Sequence, residues 1–356
     1  MINQLKALKY KINNRAYWPL FITNLPLFVI YLFYAFRHRS LFYFNLANTS
    51  IQNGGFLTES KQEIYSILPQ KYLPETIFLK PKSSLVDVLL QIKSARITFP
   101  FIIKPDKGMK GLGVQLIKSK EELRTALNNI SFDFIIQEYI DFPNEVGVFY
   151  VRLPSETKGK VTGIGAKKFI QIVGDGVSTI QQHILKQPNI SIHYPFFQKT
   201  YDAALLSKVL DKGELFNLLS FGNRLRGSEA LDLSDWLTDN LNECFNNICS
   251  SVDGFYYGRF DIRFNSKEQL ENGQNFKIIE LNGVSSDPFH VFDQNQFSLF
   301  LSWKELSRHY VMLGKVCYEN YQQGNKPLSF VEAKSLLKER FITLKHLKQY
   351  HGCLVS

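Results

Sequence analysis

Two periods of apolar and polar residues run along this chain, and the switches between them outline its elements. Residues 17–36 form an almost unbroken apolar, aromatic run, YWPLFITNLPLFVIYLFYAF, with basic residues on both sides. Pro19 and Pro26 interrupt it, and Thr23 and Asn24 lie near its middle, so the run predicts a kinked segment and not a straight helix. A turn at Asn53-Gly54-Gly55 follows. From Glu59 to Leu68, Ile64, Ile67 and Leu68 recur at helical spacing, and Pro69 and Pro74 close that helix. Ser83 or Ser84 caps a helix reaching about Ser94, and Phe99–Lys104 reads as a buried strand. After a glycine-rich loop and a short strand at Leu116–Ile117, Ser119 caps a helix with Glu121 and Glu122 in its first turn. Phe134–Tyr139 is another short apolar strand.

Strand-like alternation dominates the next section, at Val146–Leu153 and Val161–Val173, with a loop at Pro154–Gly159 between them. Gly174-Asp175-Gly176 predicts a turn, and Ser178 or Thr179 starts a helix. Residues 185–250 read as mainly helical, broken by a loop at Phe221–Ser228. Strands at Tyr257–Phe264 and Phe276–Leu281 flank a polar hairpin, and the chain from Phe297 onward is helical and basic. Strands and helices mixed without βαβ regularity predict an α+β architecture in several layers. The organisation expected is a hydrophobic, basic segment over 1–58, a lead-in over 59–98, a central domain over 99–300 and a helical basic extension over 301–356.

Charge changes this picture at the ends only. The net charge is +10, yet residues 1–58 carry six basic groups and no acid, and residues 301–356 carry nine against four. A nucleic-acid protein would show a basic stripe through its folded body. Basic ends on a neutral body suit an anionic membrane surface instead. The 17–36 run is long enough to span, but its prolines and its basic flanks on both sides favour an interfacial or re-entrant segment on the cytoplasmic face over a span or a buried hairpin. FRHRS after the run does not fit a secretory cleavage site. The four cysteines form no metal-ligand pattern and read as reduced structural thiols of a cytoplasmic protein. The seven histidines show no metal spacing, and no Ser-His-Asp or Cys-His arrangement is evident, which excludes hydrolase readings.

Three clusters carry candidate chemistry. In the first, IIKPDKGMKGLGV, a strand delivers Lys104 and a loop with Gly108, Gly111 and Gly113 follows. Glycines let backbone N–H groups approach phosphate oxygens while the lysine supplies a compact positive charge. The second, QEYIDFPNEV, places Glu138 and Tyr139 at the end of one strand and Glu145 at the start of another. The linker's main chain could read an adenine edge, and a carboxylate could accept both ribose hydroxyls. In the third, GRFDIR and IIELNG, strand alternation projects Arg259, Asp261 and Arg263 together, and Glu280 and Asn282 together. Two carboxylates and an amide beside an arginine are hard oxygen ligands of the kind Mg²⁺ takes with phosphates. A cross-strand salt bridge is the plainer alternative for this cluster.

From about Phe99 to about Asp293 these motifs resemble the ATP-grasp superfamily, in particular its D-alanine–D-alanine ligase and cyanophycin-synthetase-like members. The resemblance implies two α+β subdomains clasping ATP, with a hydrophobic N-terminal segment and a helical C-terminal extension added. It implies an ATP-dependent carboxylate–amine ligase working through an acyl phosphate, on small-molecule or peptide acids and amines. A kinase-like ATP-grasp phosphotransferase and a non-catalytic, membrane-associated nucleotide-binding protein are the alternatives. By the resemblance, Lys104 contacts ATP phosphates under the glycine loop. Glu138 lies at the adenine end, with Tyr139 beside it, and Glu145 on the ribose. Arg259 steadies the transferring phosphoryl, and Asp261, Glu280 and Asn282 hold two Mg²⁺ ions, or Mn²⁺ in their place. Lys167 or Lys168 supplies a further phosphate contact. The amino-acid-binding glutamate motif of the D-alanine ligases is not recognisable, and Glu59 reads more simply as a helix-start glutamate.

Overall fold

The computed structural model describes residues 9–57, 59–108, 111–168, 170–218 and 229–355, so the loop expected at 221–228 lies outside the described residues. The apolar N-terminal run is broken where its prolines require. Short helical turns at Arg15–Tyr17 and Leu20–Thr23 precede α1 (Leu25–Arg37), which has Pro26 in its first turn. Ser60 caps α2 (Lys61–Ile67), its hydroxyl accepting from the Glu63 N–H at 3.3 Å. Next come β1 (Thr76–Leu79), α3 (Leu85–Ser94, capped by Ser84), β2 (Phe101–Pro105) and β3 (Gln115–Ile117). They are followed by α4 (Lys120–Asn129, capped by Ser119) and β4 (Phe134–Glu138). Those four strands form one antiparallel sheet in the order β1-β4-β2-β3. Its core joins Phe101, Ile103, Phe134 and Ile136 to Val88 and Ile92 of α3 and Leu123 of α4.

A second, five-stranded antiparallel sheet is ordered β11-β10-β5-β6-β9. Its members are β5 (Asn144–Val151), β6 (Lys160–Lys168), β9 (Glu229–Asp232), β10 (Tyr257–Phe264) and β11 (Phe276–Asn282). Between β6 and β9 the chain makes a satellite unit around the pair β7 (Gln171–Val173) and β8 (Leu215–Asn217) and the helix α5 (Ile180–Lys186), which Thr179 caps. Along β10 the side chains alternate without a break. Phe260, Ile262 and Phe264 bury against Phe245 and Ile248 of α6 (Asp239–Cys249), leaving Arg259, Asp261 and Arg263 on the other face. Two long helices end the chain, α7 (Leu299–Gln322) and α8 (Phe330–Val355). Cys244, Cys249 and Cys317 are free and buried.

Three expectations need correction. The stretch 161–173 is not one strand but β6 and β7 in different sheets, because the chain leaves the large sheet after Lys168. Residues 185–250 are helical at Pro188–Ser191, Tyr194–Thr200, Ala203–Ser207 and α6, as expected, but also contain β8 and β9, which the helical reading left out. The Glu-Ala-Leu-Asp of β9 has little strand propensity and is held by pairing with β6. The connection between β10 and β11 is not a simple hairpin and includes a helical turn at Lys267–Glu271. β1 went unrecognised because four residues give too short a periodic signal.

One buried side chain ties the N-terminal region to the large sheet. Asn48, 1% exposed, donates to the carbonyls of Gly54 (3.0 Å) and Tyr257 (2.8 Å) and accepts from the N–H groups of Tyr256 (2.8 Å) and Tyr257 (2.9 Å). That contact sets the Gly54–Gly55 turn against the end of β11, where Val284 N–H donates to Gly54 O at 3.0 Å and Ser285 N–H to Gly55 O at 3.2 Å. Asn48→Ala removes these bonds from four backbone groups, of which Gly54 O keeps the Val284 N–H, so we expect a loss of about 2–4 kcal/mol. Urea unfolding checks this as a lower midpoint at unchanged slope.

Candidate active site

The site begins with the register of the two strands that end in the motifs GRFDIR and ELNG. β10 and β11 pair so that Asp261 lies opposite Glu280 and Arg259 opposite Asn282. Arg259 forks Asp261, with Nε to Oδ1 at 2.6 Å and Nη2 to Oδ2 at 3.0 Å, and its Nη1 donates to the carbonyl of Asp287 at 3.3 Å. Asn282 Nδ2 donates to Asp261 Oδ2 at 3.3 Å, which leaves the amide oxygen as that residue's ligand atom. Burial alone would lower the Arg259 pKa. Asp261 outweighs burial, with help from Glu280 and Asp287, and holds the guanidinium above its ordinary value. Arg259 lies over Gly147 of β5, where an added Cβ would come within 2.9 Å of Arg259 Cδ and 3.3 Å of Asp261 Oδ1. Glu145, Gly147, Gly165, Arg259, Asp261 and Phe289 line the cleft in front of this pair.

A register shift in β11, between the partners of Asp261 and Ile262, leaves Ile279 without a counterpart in β10. Bulges of this kind re-aim groups beside sites. The Ile279 carbonyl accepts from Tyr65 Oη at 2.5 Å and from Lys104 Nζ at 3.2 Å, so the bulge is where the small sheet and α2 meet the large sheet. Lys104 is buried, and burial lowers its pKa to about 8 against the opposing pull of Glu280. Two residues that sequence reasoning left aside join it. Lys61 Nζ lies 3.5 Å from Glu280 Oε1 and 3.3 Å from the Asp106 carbonyl. Glu59 does not merely open a helix. Its Oε1 accepts from the Gly283 N–H at 3.0 Å, and burial, with Glu280 nearby, pushes its carboxyl up to about 8. Only folding of the Gly54–Gly55 turn against Gly283 brings Glu59 there, a contact that has no local sequence signal.

The remaining predicted residues are spread along the junction of the two sheets. Glu138 ends β4, its N–H donating to the Glu75 carbonyl at 2.9 Å, and the exposed Tyr139 ring lies 5.9 Å from the Arg263 guanidinium. Arg263 also donates to the Ile140 carbonyl at 2.8 Å and stands 3.7 Å from Glu145 Oε2, so one arginine braces the whole linker between the sheets. Gly108, Gly111 and Gly113 lie between β2 and β3. Gly111 and Gly113 have φ of 71° and 76°, a conformation side chains rarely adopt. Lys167 and Lys168 end β6 opposite Ala230 and Glu229; Lys168 is exposed, and the side chain of Lys167 lies outside the described residues.

The donor set fits a hard divalent cation. Asp261 and Glu280 face each other across a strand pair, an arrangement that costs energy unless positive charge lies between or beside them. Each has one cation beside it, Arg259 or Lys61, and both strands are held by a fully buried opposite face. Rigid oxygen donors on adjacent strands meet the octahedral demand of Mg²⁺ once phosphate oxygens or water complete its shell.

These two sheets have the ATP-grasp fold, and residues 58–154 match the family model of the RimK-like ATP-grasp domain. The match begins ahead of Phe99 and takes in α2, β1 and α3. Among solved structures, the chain is similar to a bifunctional glutathione synthetase from Pasteurella multocida (17% identity, TM-score 0.41), covering 70% of this chain and 36% of that one. It spans about a third of that protein's length. A D-alanine–D-alanine ligase from Bacillus anthracis complexed with ATP is similar at 15% identity and TM-score 0.39, covering 72% and 67% of the two chains. The VanG D-Ala:D-Ser ligase from Enterococcus faecalis gives 12% and 0.39, covering 73% and 61%. No curated protein matches the sequence.

The close approach of Arg259 to Gly147 makes a direct test. In Gly147→Ala the new methyl displaces the guanidinium from Asp261, and misplacement on this scale costs about 10–100-fold in turnover. ATP consumption measured beside thermal unfolding separates this from a folding defect, because overpacking alone costs about 1–3 kcal/mol.

Proposed function

We propose that this chain is an ATP-dependent carboxylate–amine ligase, and the observation that carries the proposal is the convergence of Lys104, Lys61 and Glu59 on the Arg259–Asp261 and Glu280–Asn282 pairs. Lys104, at the end of the strand that leads into the glycine loop, would neutralise ATP phosphates. The linker Tyr139–Pro143, braced by Arg263, receives the adenine, and Glu145 the ribose. Arg259 stabilises charge on the phosphoryl group as it passes from ATP to the substrate carboxylate, giving ADP and an acyl phosphate. The amine then attacks that carbonyl and phosphate leaves. Asp261, Glu280 and Asn282 would hold Mg²⁺, which when bound draws charge from the β- and γ-phosphates. Glu59, buried beside Gly283, is placed to receive the ammonium of an amine substrate. Catalysis on this reading is positioning and charge neutralisation, with no protein nucleophile.

We further propose that the chain associates with an anionic membrane surface through α1. One side of α1 packs through Leu27, Tyr34 and Ala35, and its other side leaves Phe28, Val29, Leu32, Phe33 and Phe36 exposed, Phe36 at 88%. Arg37 and Arg39 follow at its end. Among the described residues no helix is long and apolar enough to cross a membrane, so α1 would lie in the interface with its apolar side inward.

Three measurements test these readings. ADP release should require a carboxylate and an amine together, with the condensed product seen by mass spectrometry. ADP release with one substrate alone and a phosphorylated product would identify a phosphotransferase instead. Lys104→Ala should lose ATP-dependent thermal stabilisation and still fold. Full-length protein should sediment with phosphatidylglycerol vesicles at low salt, and Val29→Glu with Phe36→Glu should abolish this. A wild-type chain that stays in the supernatant removes the membrane reading without touching the ligase.

A further inference from the structure

Behind the cleft, on the far side of Phe289, lies a second group of polar side chains with no part in the reading above. His290 is in a helical turn, Phe289–Phe292, and Glu305 and His309 are one turn apart on α7. The sequence showed no metal spacing for its histidines because only the Glu-to-His pair is local; His290 joins through the fold. One ligand atom from each residue lies within 4.8 Å of the other two. His309 Nε2 is 3.5 Å and His290 Nε2 is 3.9 Å from Glu305 Oε1.

We propose that His290, Glu305 and His309 form a binding site for a transition-metal ion of the Zn²⁺ class. Two histidine nitrogens and one carboxylate oxygen are the mixed donors that Zn²⁺ takes, leaving a fourth position for water, whereas Mg²⁺ selects oxygen. Ligand atoms around a tetrahedral zinc stand about 3.4 Å apart; the two Glu305 separations are 3.5 and 3.9 Å, and the two imidazoles, within 4.8 Å of each other, would draw together around the ion.

The burial pattern points the same way. His309 is 0% and His290 3% exposed, yet neither ring nitrogen of His309 has a hydrogen-bond partner, nor does His290 Nδ1. Unpartnered buried imidazole nitrogens are costly, and an ion taking Nε2 of each ring would give His309 Nε2 the partner it lacks, leaving the two Nδ1 atoms as they are. The site is also built around the His290 ring. A Cβ at Gly163 of β6 would fall 2.0 Å from His290 Cε1, so only glycine admits the imidazole there. Phe149 meets the His309 ring edge-on at 4.9 Å between centroids and closes the other side. Arg308 bonds Glu305, with Nε at 3.0 Å from Oε1 and 3.1 Å from Oε2 and Nη2 on Oε1. Metal binding therefore requires this half-exposed side chain to release Oε1 and keep Oε2, where it would act as an outer partner of the kind that orients ligands. An ion here would join α7 to the turn after β11, fixing Phe289 at the cleft wall.

The test needs no ATP and no substrate. Full-length protein, stripped with chelator, is dialysed against Zn²⁺ with Mg²⁺ in excess, and bound metal is counted. One Zn²⁺ per chain, a rise in melting temperature, and a tetrahedral spectrum when Co²⁺ replaces Zn²⁺ are expected. Glu305→Gln, which keeps the side chain's shape, should weaken Zn²⁺ binding at least about tenfold. If that variant does not fold, His290→Asn replaces it with the same expectation. Absence of stoichiometric Zn²⁺ in the wild type overturns the site. Equal Zn²⁺ affinity in wild type and variant also overturns it, because the ion would then lie elsewhere. Neither result bears on the ligase reading, since Asp261 and Glu280 are unaltered.

Discussion

Everything at the candidate active site depends on a two-point ion pair held at the surface of a strand, Arg259 on Asp261. A guanidinium and a carboxylate taken out of water repay their desolvation only when their geometry is fixed and their remaining hydrogen-bonding groups are used. Here the second carboxylate oxygen also accepts from Asn282, and the guanidinium reaches the Asp287 carbonyl. Gly147 removes the side chain that would otherwise occupy the space above β5. The opposite face of β10 is clamped by Phe260, Ile262 and Phe264 at no more than 1% exposure, so the strand cannot rotate to release the pair. Position and charge at this point are thus set by core packing on the other side of the sheet.

From that point the constraint spreads outward. Pairing Asp261 with Glu280 brings two carboxylates together, and the structure answers with cations from two other elements, Lys61 of α2 and Lys104 of β2. Those lysines reach the site because the β11 bulge offers the Ile279 carbonyl to Tyr65 and Lys104 together. The same bulge therefore joins the two sheets. The C-terminal helix adds a further tie. Its Glu339 lies 3.2 Å from Lys107, and its Tyr350 packs edge-on to Phe132 and bonds to Gln115. α8 thus rests against the subdomain that carries the glycine loop.

How much of this was legible in the sequence divides along physical lines. Asp261 and Asn282 were found because strand alternation is local and strict. The helix caps Ser60, Ser84, Ser119 and Thr179 follow from the same short-range rules, although the cap of α2 was not singled out. The proline kinks of the N-terminal run were also legible, since they follow from a missing N–H. What stayed hidden depends on distant contacts. Glu59 reaches the site only through the Gly54–Gly55 turn and Gly283, and Lys61 only because α2 lies across β11. β9 is a strand because β6 is beside it, and His290 meets α7 only after the large sheet has formed.

The central claim is that Asp261 and Glu280 bind a divalent cation carrying nucleotide and do not form a merely structural pair. The most direct measurement is ATP turnover against Mg²⁺ concentration for the wild type, Asp261→Asn and Glu280→Gln. The account predicts a higher Mg²⁺ requirement for Asp261→Asn and no turnover for Glu280→Gln, with both variants folded. Wild-type turnover at wild-type Mg²⁺ dependence in both would return the pair to an ordinary cross-strand contact and contradict the ligase assignment.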